Sequence, residues 1–321
     1  MSGGRNPASH HQRMGQVSTD EDLLKILDTR LRILLPEEYQ DCYEDVQPVS
    51  MGSAGLKFDA EGKVAWDEIW GSFCDLAMAG GPPHKGKLLE PGTPAQIAEQ
   101  PERHREVVDE ICRGIGMVAY LPVEESPVAG WVRVDCERDV MADWIARAIV
   151  MENVSCCREG RWIDLPAGPH YRLEKEIKNV ITVIAKTCHY FVDHMWPGQQ
   201  RQVAELFAET KATAPLVQAA ASGHGFDAEQ HRELSHQIAE ALRSSTGLLR
   251  GGSEYAGWLG LECSSVRKAI WMMRGLVVHN VFSRREETVL FVPVNPKDDP
   301  EGHFVVNALT TLARLAAHKI L

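Results

Sequence analysis

The sequence predicts an α/β fold made of repeated strand–helix–strand–helix units, in three copies about a pseudo-threefold axis, with a helical insertion before the last copy. Three observations carry this reading. Residues 129–169 recur without a gap at 256–296, where an offset of 127 matches 14 of 41 positions, among them Ala129, Gly130, Trp131, Cys136, Trp144, Arg147, Asn153, Arg158 and Pro166. Self-similarity at a fixed offset marks an internal duplication. A fainter copy lies 75 residues upstream: Ala54 and Gly55 fall on Ala129 and Gly130, and Pro91, Pro94 and Glu99 on Pro166, Pro169 and Glu174, a spacing repeated at Pro293, Pro296 and Glu301. Within each copy the apolar residues alternate at period two and then recur at three and four, as a strand followed by a helix requires.

The chain accordingly divides into a polar tail (1–17), an N-terminal helix with its lead-in (18–53), a degenerate first repeat (54–116), a link and second repeat (117–195), a helical insertion (196–255) and a third repeat (256–321), with all repeats expected in one compact domain. Ser18 with Glu21, or Thr19 with Asp22, offers capping-box spacing ahead of LLKILDTRLRILL, so a helix is expected there, ending before Pro36 and packing across the first repeat. In the second repeat AGWVRVDC alternates like a half-buried strand. Val140, Trp144, Ala148 and Met151 then form one helical stripe over 139–153, and RWIDL reads as a short strand closed by Pro166. Pro169 suits the first position of a helix over 170–195 with Leu173, Ile177, Val180, Ile184 and Phe191 as its core stripe. The last copy mirrors this helix from Gly302 onward. The insertion, broken at Ser222-Gly223-His224-Gly225, is expected as a lid or as an interface with another chain.

Composition narrows the function classes. With 44% apolar and 25% charged residues the chain is of ordinary globular type, and a net charge of −11 without a basic block lacks the electrostatic footprint of a nucleic-acid or anionic-membrane binder. No run approaches a membrane span and the first residues lack the apolar core of a signal peptide, so a cytoplasmic protein is expected. The eight cysteines show no C-x-x-C spacing and read as small hydrophobes in a reducing compartment.

The candidate chemistry lies in the turn after each repeat's first helix: AMAGGPPHKGK at 77–87, ENVSCCREGR at 152–161 and HNVFSRREET at 279–288. Around a single mouth these turns would gather His84, Lys85, Asn153, Arg158, Asn280 and Arg285. Such donors and cations suit a phosphate or carboxylate, and His84, held in a Gly/Pro-rich loop, is the candidate acid–base residue. Arg147 and Arg274, on apolar helices, are each expected to hold a carboxylate of a neighbouring copy. Glu99, Glu174 and Glu301 read first as charges complementing helix starts and second as three carboxylates converging on a cation. The histidine pairs His189/His194 and His231/His236 are separated by five residues, which on an α-helix fans them about 140° apart, too far to share a metal. The dinucleotide, Walker and nucleophile-elbow signatures are absent from the sequence.

Two functions follow as expectations: an enzyme acting on a small anionic metabolite in a pocket between the repeats, or a non-catalytic accessory protein that holds a cofactor, metal or protein partner. The sequence names no cofactor. A second copy or a protein partner is expected, if anywhere, through the helical insertion.

Overall fold

The computed structural model describes residues 19–41, 55–70 and 76–319; the expected tail and Ser18 lie outside them. Helix α1 (Asp20–Leu34) begins at the predicted capping box, with the Thr19 hydroxyl accepting from the Asp22 N–H and the Asp22 carboxylate accepting from the Thr19 N–H, each at 3.2 Å. Leu27, Leu31 and Leu34 form its buried stripe, which packs on helices of the second half, not across the first repeat.

Two units of like topology make up the rest. The first runs through α2 (Pro94–Glu99), α3 (Pro101–Ala119), β1 (Val123–Glu125), β2 (Trp131–Asp135), α4 (Asp139–Met151), β3 (Cys157–Glu159) and β4 (Trp162–Pro166), then a helix in three pieces: a π turn at Leu173–Ile177, α5 (Lys178–His189) and a second π turn at Tyr190–His194. The second contains α6 (Pro197–Thr213), α7 (Ala228–Thr246), β5 (Trp258–Glu262), α8 (Val266–Val277), β6 (Arg284–Glu286), β7 (Val289–Pro293) and α9 (His303–His318). All strand pairs within the two sheets are antiparallel, in the orders β1-β2-β4-β3 and β5-β7-β6. Trp131 lies opposite Pro166 and Trp258 opposite Pro293, so even the register repeats at the offset of 127.

Three expectations change. The segments read as turns after the first helices each contain a strand, β3 or β6, that folds back on the next strand through Gly160 (φ 60°) or Glu287 (φ 51°). Their apolar content is too low to announce a strand, because only three residues pair.

The segment read as an insertion is partly a repeat element. α7 begins 127 residues after α3 and has the same length, and the offset matches Glu102, His104, Arg105, Glu106 and Ile111 to Glu229, His231, Arg232, Glu233 and Ile238. α3 lies along α5 as α7 lies along α9.

The described residues of the expected first copy do not follow the strand–helix–strand path. Over 55–70 and 76–116 they form short 3-10 turns, α2 and α3, with Phe58 and Val64 meeting in an isolated bridge. A Cβ at Gly130 would lie 2.7 Å from Gly92 O and one at Gly257 would lie 1.9 Å from Ala220 O, whereas one at Gly55 would meet nothing. The glycines of the two units' Ala-Gly pairs thus serve a close approach that Gly55 does not. Pro94 recurs for a local reason, since it opens α2 behind a Thr93 cap.

The close approach at those two glycines is made by the lead-in segments of the two units, residues 76–93 and 214–227, which precede α2 and α7. Leu89 and Val217 each pair with the residue after an asparagine: Leu89 N–H donates to Asn153 O at 2.8 Å, and Val217 N–H to Asn280 O at 2.9 Å. The core is continuous across both units, with Trp144, Ile149, Phe191, Phe282 and Phe291 all buried in one cluster.

Candidate functional site

Asn153 and Asn280 follow the C-termini of α4 and α8 in the left-handed conformation, with φ of 59° and 61°. Asparagine tolerates this better than most residues, which accounts for its recurrence after both helices. Both side chains are fully buried and therefore need partners. The partners come from the other unit or from the lead-ins.

At the first junction the Asn153 amide donates to Arg285 O at 2.9 Å and Lys85 O at 3.1 Å, and its carbonyl oxygen accepts from Arg284 Nη1 at 3.2 Å. Arg284 is itself fully buried, ion-paired to Glu286 at 2.8 Å and stacked 3.9 Å from the centre of the Phe291 ring. Beside it Glu152, with no exposed surface, accepts from Lys186 Nζ at 2.7 Å, Ala77 N at 3.0 Å and His84 N at 2.6 Å. The His84 ring sets Nε2 3.0 Å from Asn179 Oδ1, while Nδ1 is buried without a hydrogen-bond partner among the described residues. Burial, with Lys186 nearby, pushes the His84 imidazole down to about 4, so the ring is neutral at neutral pH. Burial likewise lowers Lys85, whose ammonium lies 3.7 Å from Glu176. Burial raises Glu176, but hydrogen bonds from Arg172 and the charge of Lys85 outweigh it and hold the carboxyl at about 2.

At the second junction the Asn280 amide donates to Ala214 O at 2.9 Å and its oxygen accepts from Arg147 Nη2 at 2.6 Å. Arg147 stacks 4.2 Å from the centre of Phe207 and pairs with Asp143 on its own helix, not with a carboxylate of another copy. Burial lowers Arg147 to about 10 against the opposing pull of Asp143. The same buried Asp143 also receives Arg158 at 3.1 Å and Lys211 at 2.6 Å.

The six residues expected around one mouth therefore divide. His84, Lys85, Asn153 and Arg285 meet at the first junction; Arg158 and Asn280 belong to the second. Asn153 and Asn280 are sealed inside, and the Arg285 guanidinium reaches backbone oxygens of Gly81 and Glu287 at 3.3 and 3.4 Å. Of the glutamates proposed to converge, Glu99, Glu174 and Glu301 are all exposed on separate elements. Among the described residues no group of three or more His, Cys, Asp or Glu side chains is gathered to hold a metal, and no helix is long and apolar enough to cross a membrane.

A cleft lies between the two units, where a pocket between the repeats was expected; of the residues expected to line it, Lys85 alone does so. Its volume is about 560 Å³, within the range of small-molecule sites, and its wall includes Leu88, Cys156, Phe226 and Trp258 with Lys85 and Glu176 among its polar groups. The segments 85–96 and 219–226 both contribute to it. The Cys156 and Cys157 thiols that face this region are raised by burial and stay protonated. No protein-family model matches the chain, and neither a curated protein nor a solved structure matches it.

Proposed function

We propose that the protein binds a small molecule, carrying a carboxylate or phosphate group, in the cleft between its two units, and that it acts by holding this ligand and not by turning it over. The observation that carries the reading is the 560 Å³ cleft lined from both lead-ins, with an apolar wall and Lys85 beside it. An anionic head could take Lys85 from Glu176, which keeps Arg172 at 3.1 Å as an alternative partner. Binding is favoured over catalysis because Arg158 and Arg285, the other cations of the expected site, are engaged by protein oxygens. Enzyme action on a small anionic metabolite is the second reading; the neutral His84 ring with a buried Nδ1 lacking a hydrogen-bond partner is what favours it.

The test is a melting-temperature screen of phosphate and dicarboxylates at millimolar concentration. A ligand is expected to raise the melting temperature of the wild type, through mass action on the native state, and not of Lys85→Met. Equal shifts in the two proteins, or no shift in either, would remove the anion from the proposal. For the second reading, turnover of a stabilising ligand that disappears in His84→Gln would replace binding with catalysis.

A further inference from the structure

The end of the second helix of the first unit reads KTCHYFVDHMW. In an α-helix His189 and His194 would diverge, but the chain makes a π turn at Tyr190–His194. Its wider turn brings residues five apart onto one face. The two Nε2 atoms lie 2.9 Å apart, with the rings nearly perpendicular at 77°.

Behind each ring stands a carboxylate. His189 Nδ1 is 2.8 Å from Asp193 Oδ2, and His194 Nδ1 is 2.9 Å from Glu38 Oε2, which arrives from the 3-10 turn Glu37–Tyr39. A hydrogen bond between the Tyr39 and Tyr190 hydroxyls, at 2.8 Å, ties that turn to the same helix.

Ionised carboxylates only accept, so each Nδ1 carries the hydrogen and the two Nε2 atoms face each other. Two unprotonated nitrogens at such a distance repel unless a cation binds both. Imidazole nitrogens coordinate a divalent transition metal at about 2.0–2.1 Å, and two of them at right angles on one ion are then separated by about 2.9 Å. Carboxylates on the outer nitrogens are also what orients metal-binding histidines and raises their basicity.

We propose that His189 and His194 form a two-histidine site for a divalent transition metal of the imidazole-preferring class, zinc, nickel or copper, with Asp193 and Glu38 as outer partners and water completing the coordination. The two side chains are 31% and 33% exposed, so the ion exchanges directly with solvent. The site is independent of the cleft. Its competing occupant is a single proton shared by the two rings.

The test is titration of the full chain with Cu(II), read by calorimetry and by the nitrogen hyperfine pattern in electron paramagnetic resonance. The wild type is expected to bind one more ion per chain than His189→Gln/His194→Gln, with two equivalent nitrogens on that ion. Other histidines, such as His10 and His11, contribute equally to both proteins. Asp193→Asn is expected to weaken this site about 10- to 100-fold. Equal stoichiometry in wild type and double variant overturns the proposal and leaves the pair sharing a proton. Should the double variant fail to fold, His194→Gln alone serves as the reference, and an unchanged stoichiometry and nitrogen pattern there also overturns the proposal.

Discussion

The two asparagine junctions begin from the same repeated residue and end in different electrostatics. At the first, Asn153 is held by an arginine from the second unit's hairpin; at the second, Asn280 is held by an arginine from the first unit's helix. Both arginines are buried and stacked on aromatic rings. The copies part at the position before the asparagine, where Glu152 stands at the first and His279 at the second. Glu152 forms a fully buried ion pair with Lys186, whose counterpart after a one-residue slip, Arg314, is exposed and paired with Asp20. His279 instead places Nδ1 2.7 Å from Gly275 O. The repeated asparagines therefore mark where the two units join, while unmatched residues such as Arg284 and Glu152 decide how costly each join is to disturb.

The largest expected effect would break this comparison at its charged end. Lys186→Met leaves Glu152 buried and unpaired and is expected to cost about 3–5 kcal/mol in denaturant melts, whereas Glu152→Gln/Lys186→Met should recover most of the loss. At the matching site, His279→Ala should cost clearly less; an equal cost would mean that charge is not what distinguishes the junctions. Trp144 and Trp271 probe the part that is alike: both are buried, and each truncation to Ala is expected to cost about 3–5 kcal/mol. The Trp144 variant should lie at the upper end because its indole N–H also donates to Leu34 O at 2.7 Å.

A smaller effect sharpens the second junction. A cycle of Arg147→Met and Asn280→Ala should give a coupling energy of about 0.5–3 kcal/mol, since the two touch directly. A coupling near zero would leave the contact energetically idle. The last effect is spread over pH and is smallest per unit. His84 titrates near 4 when folded and near 6.5 when unfolded, so between those values the unfolded chain binds more protons. Stability is full above about 6.5 and is lost as pH falls toward 4, by at most about 1.4 kcal/mol per pH unit. This component of the slope should vanish in His84→Gln and persist in variants of the second junction.

Much of the fold could be read from the sequence, and the failures have physical causes. The strands β2 and β5 and the helices α4 and α8 were legible because one apolar face repeats along each. β3 and β6 were not, since a three-residue strand such as Cys157–Glu159 carries no periodicity. α7 was taken for inserted material because its identity to α3 is concentrated in polar residues, EHRE against core positions such as Val107 and Leu234 that differ. The site fared less well. Cations in turns look available in a sequence, whereas Arg158 and Arg285 find their oxygens only once the chain has folded. On α-helical spacing His189 and His194 diverge, and the sequence gives no sign of the π turn that brings the rings together.

The join between Arg147 and Asn280 spans 133 residues, and that between Asn153 and Arg285 spans 132. A chain emerging from the ribosome thus completes the first unit's helices well before the groups that satisfy its buried arginine and asparagine have been made. Contacts of such sequence separation close late and slow the search for the native state. The amino-terminal half is expected to wait in a loosened form, exposed to association with other chains, until synthesis passes residue 285. Two units joined in this way are expected not to mature one at a time.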